Sequence, residues 1–196
     1  AVTRPNVSTE SGAVTVDFAG LKSVNHGLVG AGRLSAALRD FNGDTLGSFS
    51  AMAISDWKRL PDGSYAGTLT TLPDRGPNAV GTIVGTSDYA NRLHRFSFTF
   101  VPYTGAGPVA PEQVKLTPKG GLLLKDGQSK TFTGLDPAEP AAAGRLSMDS
   151  EGLALAADGG FYVADEYAAA IYRFDKAGLA SVEAAEDWAA AADEVE

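Results

Sequence analysis

Apolar and polar positions alternate over short stretches of this chain, with the two-residue period of half-buried strands. Val14, Val16 and Phe18 alternate with Thr15 and Asp17. Phe96, Phe98 and Phe100 alternate with Ser97 and Thr99, which predicts a strand with one aromatic and one polar face. Met52 to Trp57, Tyr65 to Leu72, Leu153 to Ala156, Phe161 to Ala164 and Ile171 to Phe174 read as further strands. Asn42-Gly43-Asp44, Asp62-Gly63, Asp126-Gly127 and Asp158-Gly159-Gly160 predict hairpin turns between them. Residues 105–111 and the Pro- and Ala-rich stretch 135–144 read as loops. Residues 184–196 are dominated by Ala, Glu and Asp and read as a helix or a poorly defined tail.

A degenerate repeat runs through this pattern. One copy is Asp62-Gly63-Ser64-Tyr65, a strand, Asp74-Arg75, a loop, then Leu93-His94-Arg95-Phe96. The other is Asp158-Gly159-Gly160-Phe161, a strand, Asp165-Glu166, a loop, then Ile171-Tyr172-Arg173-Phe174. Repeated antiparallel units are the sequence cue for propeller blades, and a β-sandwich built from similar hairpins is the alternative. The expectation is an all-β chain. Residues 1–175 form the N-terminal blades of a larger β-propeller, and residues 176–196 form an Ala- and acid-rich C-terminal segment.

Composition narrows the chemistry. A hydrophobic fraction of 44% with 20% charged residues is that of a globular domain. The formal net charge of -8 disfavours nucleic acid and anionic membranes as partners and favours hard cations. With no cysteine, thiolate catalysis, disulfides and Cys-based zinc sites drop out. No apolar run is long enough to cross a bilayer, and no basic-then-apolar leader opens the chain. A start at Ala1 fits a mature chain after signal removal, and Asn6-Val7-Ser8 is a glycosylation sequon, so a secreted protein is expected.

Three constellations can carry chemistry. In Leu72-Pro73-Asp74-Arg75-Gly76-Pro77-Asn78 a strand ends between turn-forming residues, which fixes a carboxylate and a guanidinium at a sheet end. A salt bridge pinning a loop explains the same pair. Arg145-Leu146-Ser147-Met148-Asp149-Ser150-Glu151-Gly152-Leu153 leads into a strand, with Glu151 at its start, and reads otherwise as a solvated turn. Asp165-Glu166-Tyr167 closes an apolar strand, and adjacent acids there are costly unless a cation or an Arg lies between them; an exposed loop is the plainer reading. The histidines are His26 and His94, without His-x-x-x-His spacing, and His94 shares the parity of the aromatic strand face. No Gly-x-Ser-x-Gly elbow, dinucleotide fingerprint or Asp-x-Asp-x-Asp-Gly calcium loop is present.

Leu-Pro-Asp-Arg-Gly at Leu72, Arg-Leu-His-Arg-Phe-Ser at Arg92, Ser-Met-Asp-Ser-Glu-Gly-Leu at Ser147, and Ala-Asp-Glu-Tyr followed by Ile-Tyr-Arg-Phe-Asp resemble the esterase-like phytase family in motif and order. The resemblance runs from about Val14 to Asp175. It implies a secreted β-propeller and an ester or phosphoester hydrolase. Asp74, Arg75, Glu151, Asp165 and Glu166 would line one channel end. Two departures stand out. Ala168-Ala169 follow Glu166-Tyr167 where the family usually has Gly-Pro. The family's members are also longer, so a second polypeptide could complete the ring.

On this reading Asp74, Glu151 and Glu166 are the candidate catalytic groups. Asp74, Glu151, Asp165 and Glu166 are the candidate ligands of a cation, calcium by preference. Arg75, Arg145 and His94 would bind a small anionic or ester substrate. A cation-stabilised binding module without catalysis, and a lactonase-like calcium-dependent propeller hydrolase, are the alternatives.

Overall fold

The computed structural model describes residues 14–25, 27–77, 87–105, 107–181 and 186–187. The Asn6 sequon, His26, Asn78 and most of the acidic C-terminal segment lie outside the described residues. The fold is all-β and built from hairpins. Strands β1 (Val14–Phe18) and β2 (Leu21–Asn25) form a two-stranded sheet. Strands β3 (Phe49–Arg59), β4 (Tyr65–Pro73), β5 (Arg92–Phe100) and β6 (Val114–Leu123) form a four-stranded sheet in that order. After a short helix α1 (Ala138–Ala142), strands β7 (Ser150–Leu155), β8 (Phe161–Asp165), β9 (Ala170–Phe174) and β10 (Glu186–Asp187) form another, also in sequence order.

Two four-stranded antiparallel meanders are the unit that a propeller repeats, and the two repeat copies fall at matching places in them. The first copy is β4 and β5, the inner pair of its sheet; the second is β8 and β9, the inner pair of the other. Asp165 is the last residue of β8, and Asp74 directly follows the end of β4. The repeat read from the sequence is therefore a structural one. Of the segment read as a helix or tail, only Glu186 and Asp187 are described beyond Ser181, and they pair with β9.

The chain divides into two compact units. One holds the described residues up to Ser35 together with Ser55–Thr68 and Phe96–Pro118. In it β1 and β2 pair antiparallel from Val14↔Asn25 to Phe18↔Leu21. Ala19 and Gly20, both at positive φ (48° and 81°), make the two-residue turn that suits a hairpin's twist. The predicted aromatic face is present as well: Tyr65 stacks on Phe100 at 5.9 Å, and Trp57 lies against Tyr65 and Phe98.

The second unit holds Ala36–Ile54, Leu69–Arg95 and the described residues from Lys119 onward. Its core is a cluster of Leu72, Leu93, Leu124, Phe132, Met148, Phe161, Val163, Phe174 and Ala180. Phe161 and Phe174, paired across β8 and β9, stack at 5.2 Å, and Phe132 meets Phe174 edge-on. Full burial of such side chains contributes about 1.5–3 kcal/mol each, so this core can fix the strand ends that carry the acids.

Candidate metal centre at the strand ends

Beyond β4 the chain is pinned residue by residue. The Asp74 amide donates to the Ser48 carbonyl (3.2 Å), and Asp74 Oδ1 accepts the Gly76 amide (2.7 Å). Gly76 has φ +83°, and a Cβ there would lie 2.3 Å from Tyr89, so the turn excludes any side chain. A Cβ on Gly134 would sit 1.7 Å from the Arg75 carbonyl oxygen, so Gly134 is what lets this loop settle. Arg75 donates through its amide to Asp149 Oδ1 (3.1 Å) and through its guanidinium to Asp149 Oδ2, and it lies over the Tyr167 ring. The salt bridge read from Asp74-Arg75 thus exists, but between Arg75 and an acid 74 residues away.

Asp149 is 2% exposed, and every polar group of it is engaged. Its amide donates to Asp165 Oδ1 (2.9 Å), and its carbonyl accepts the Glu166 amide (2.8 Å). Next to it, the Ser150 hydroxyl donates to the Pro73 carbonyl (2.7 Å), and Asn91 Nδ2 donates to the Met148 carbonyl (3.0 Å). On the β7–β8 ladder Ser150 pairs with Asp165 and Gly152 with Ala164, leaving Glu151 as the extra residue of a bulge. A bulge re-aims a side chain at a strand end. Here carboxylate oxygens of Asp149, Glu151 and Glu166 lie within 4.8 Å of one another, with Asp149 buried and the two glutamates exposed.

The field at this cluster is negative. Partial burial, then Asp149, Asp74 and Glu166, push the Glu151 carboxyl above its ordinary value, against a hydrogen bond from Ser50. Three carboxylates sharing one small volume, only one of them bound to a guanidinium, are the oxygen donor set of a hard divalent cation, so the residues fit calcium or magnesium. Asp165 and Asp74 fall outside this trio. Asp165 is 4% exposed; burial pushes its carboxyl up to about 6, against the hydrogen bonds from the Asp149 and Tyr167 amides.

The other candidates lie elsewhere. Arg145 forks onto Asp88 (3.0 and 2.7 Å), which also accepts from Thr133 Oγ1, and the Arg145 hydrogen bond holds the Asp88 carboxyl below its ordinary value. His94 is packed between the Phe41 and Phe49 rings, with Nε2 3.0 Å from the Leu46 carbonyl. The structure therefore joins Glu151 and Glu166, sets Arg75 beside them, and adds Asp149, which the sequence places in the Arg145–Leu153 constellation without marking it as a ligand.

A family model described as phytase-like, esterase-like activity of phytase, matches residues 45–193. An uncharacterized secreted protein of Arthroderma benhamiae is 34% identical over 183 residues, covering 78% of this chain. This chain spans 35% of that relative's length. No solved structure matches.

Proposed function

This chain belongs to the phytase-like family, and from that premise we propose that it is a secreted, cation-assisted ester or phosphoester hydrolase centred on Asp149, Glu151 and Glu166. One observation carries the reading: two exposed glutamates and a buried aspartate converge at the end of one sheet, on a backbone that hydrogen bonds hold fixed. A divalent cation bound there, calcium by the donor chemistry, supplies Lewis acidity toward a phosphoryl or acyl oxygen and acidifies a water.

The chain's own residues divide the remaining work. Asp149 is anchored by Arg75 on one side and by Asp165 on its amide, so its carboxylate does not wander. Glu151 and Glu166 stand at the solvent side, where a substrate arrives. The Arg75 side chain is 33% exposed and can steady a developing oxyanion beside the cluster. Arg145, committed to Asp88, is not needed for that role. Further blades would come from additional polypeptide, in this chain's own precursor or in a second chain, and native mass spectrometry of the protein from its source tests for it.

The experiment is hydrolysis of an aryl ester and of phytate by the full chain, with calcium and then with chelator. Chelator or Glu166→Gln is expected to lower turnover by about 10²-fold, the scale of losing one preorganised electrostatic contact. Hydrolysis indifferent to both would contradict the proposal.

A second reading draws on the Arg75–Asp149 pair, which ties one acid of the cluster into the framework as a structural centre would. In that case the cation braces a binding face without chemistry. Glu166→Gln would then lower the melting temperature, with no turnover to lose.

A further inference from the structure

We propose that Asp165 is a positioning residue that sets the spacing of the acidic cluster, and not a ligand of it. The inference rests on the cation-centre reading above. Ser150↔Asp165 is the last pair of the β7–β8 ladder, and beyond it the two strands are held by one backbone bond and by the Asp165 side chain. Its Oδ1 accepts the Asp149 amide (2.9 Å) from the β7 side and the Tyr167 amide (3.0 Å) from its own. The Glu166 amide closes the loop by donating to the Asp149 carbonyl (2.8 Å). Glu166 is thereby held on both sides, by its own amide and by that of the next residue, and Asp149 is held by its amide and its carbonyl. One buried oxygen thus governs where two of the three cluster carboxylates start from.

A ligand role demands an oxygen that reaches the cation, and two observations speak against one. Asp165 is 4% exposed while Glu151 and Glu166 are exposed, and it lies outside the group whose oxygens approach within 4.8 Å. The Asp149 and Tyr167 amides both bind Oδ1, while Oδ2 is buried without a hydrogen-bond partner, so exchanging Oδ2 for an amide nitrogen tests whether that oxygen serves the cation. An asparagine offers the same Oδ1 acceptor and removes the charge. Asn and Ala at this position therefore separate positioning from ligation.

The test uses the full chain as wild type, Asp165→Asn, Asp165→Ala and Glu166→Gln. Calcium affinity is read by calorimetry, and hydrogen exchange is read at the Asp149 and Tyr167 amides. Asp165→Asn is expected to keep wild-type affinity and wild-type protection. Asp165→Ala is expected to lose about 10-fold in affinity, the scale of removing a group that orients a ligand, and to expose both amides to faster exchange. Asp165→Asn losing as much affinity as Glu166→Gln would make Asp165 a ligand and overturn the proposal. Unchanged protection of both amides in Asp165→Ala would overturn it as well. Wild-type protein that binds no calcium would defeat the cation-centre reading, while the exchange rates still decide what Asp165 holds. If Asp165→Ala does not fold, Asp165→Asn against Glu166→Gln decides between ligand and support.

Discussion

His94, at 2% exposure and with Nε2 3.0 Å from the Leu46 carbonyl, carries its proton on that nitrogen in its neutral form. Burial lowers its pKa below the ordinary 6.5, and the carbonyl contact and Asp40 only partly offset this. Below pH 6.5 the unfolded chain therefore takes up a proton that the folded chain resists, and stability falls until the folded-state pKa is passed. In urea unfolding between pH 8 and 5, His94→Gln, which can still donate to Leu46, should lose less stability on acidification than the wild type, while the buried Asp165 titrates in the same window in both proteins; equal slopes in both proteins would contradict the assignment. The period-2 pattern of β5 placed His94 inside, but nothing in the sequence put a carbonyl against it. Gly134 shows the same gap. A methyl there meets the Arg75 backbone at 1.7 Å, so Gly134→Ala should destabilise by about 1–3 kcal/mol by overpacking and should weaken cation binding, readable together in denaturant and calcium titrations.

Among the elements, the strands with clean alternation and flanking turns were legible. The predicted turns recur because Asp62, Asp126 and Asp158 each accept an amide two residues on, at 3.0, 2.9 and 2.9 Å. Strand β6 escaped because Pro118, Gly120 and Gly121 interrupt it, and it tolerates them as the last strand of its sheet. Strand β2 escaped because Leu21–Asn25 is too short and too polar to declare itself before its hairpin partner is known. The β7 bulge was also invisible, and it is what brings Glu151 toward Glu166. Around it, Asn91 reaches the Met148 carbonyl from a distant loop. Asn91→Ala would leave that buried oxygen without its donor and should cost about 1–3 kcal/mol in chemical denaturation, with a matching loss of cation affinity. A change under a few tenths of a kcal/mol would mean that the contact does not brace the strand ends.

At the level of the whole chain, the net charge of -8 pointed to cations before any site was located. The acids at the two strand ends were found from their place in the repeat, but their division of labour needed three dimensions. Asp74 caps its own turn, Asp165 grips two amides, and Asp149, Glu151 and Glu166 form the cluster. A ligand that binds only the folded state stabilises it by about 2.7 kcal/mol at 100 times its dissociation constant, so calcium should raise the melting temperature and chelator should reverse the rise.

The cation centre itself is tested most directly by calorimetric calcium titration of the full chain beside Glu151→Gln. One binding event in the wild type, weakened at least about 10-fold in the variant, is the predicted result. No binding heat, or equal affinity in the two proteins, would contradict it.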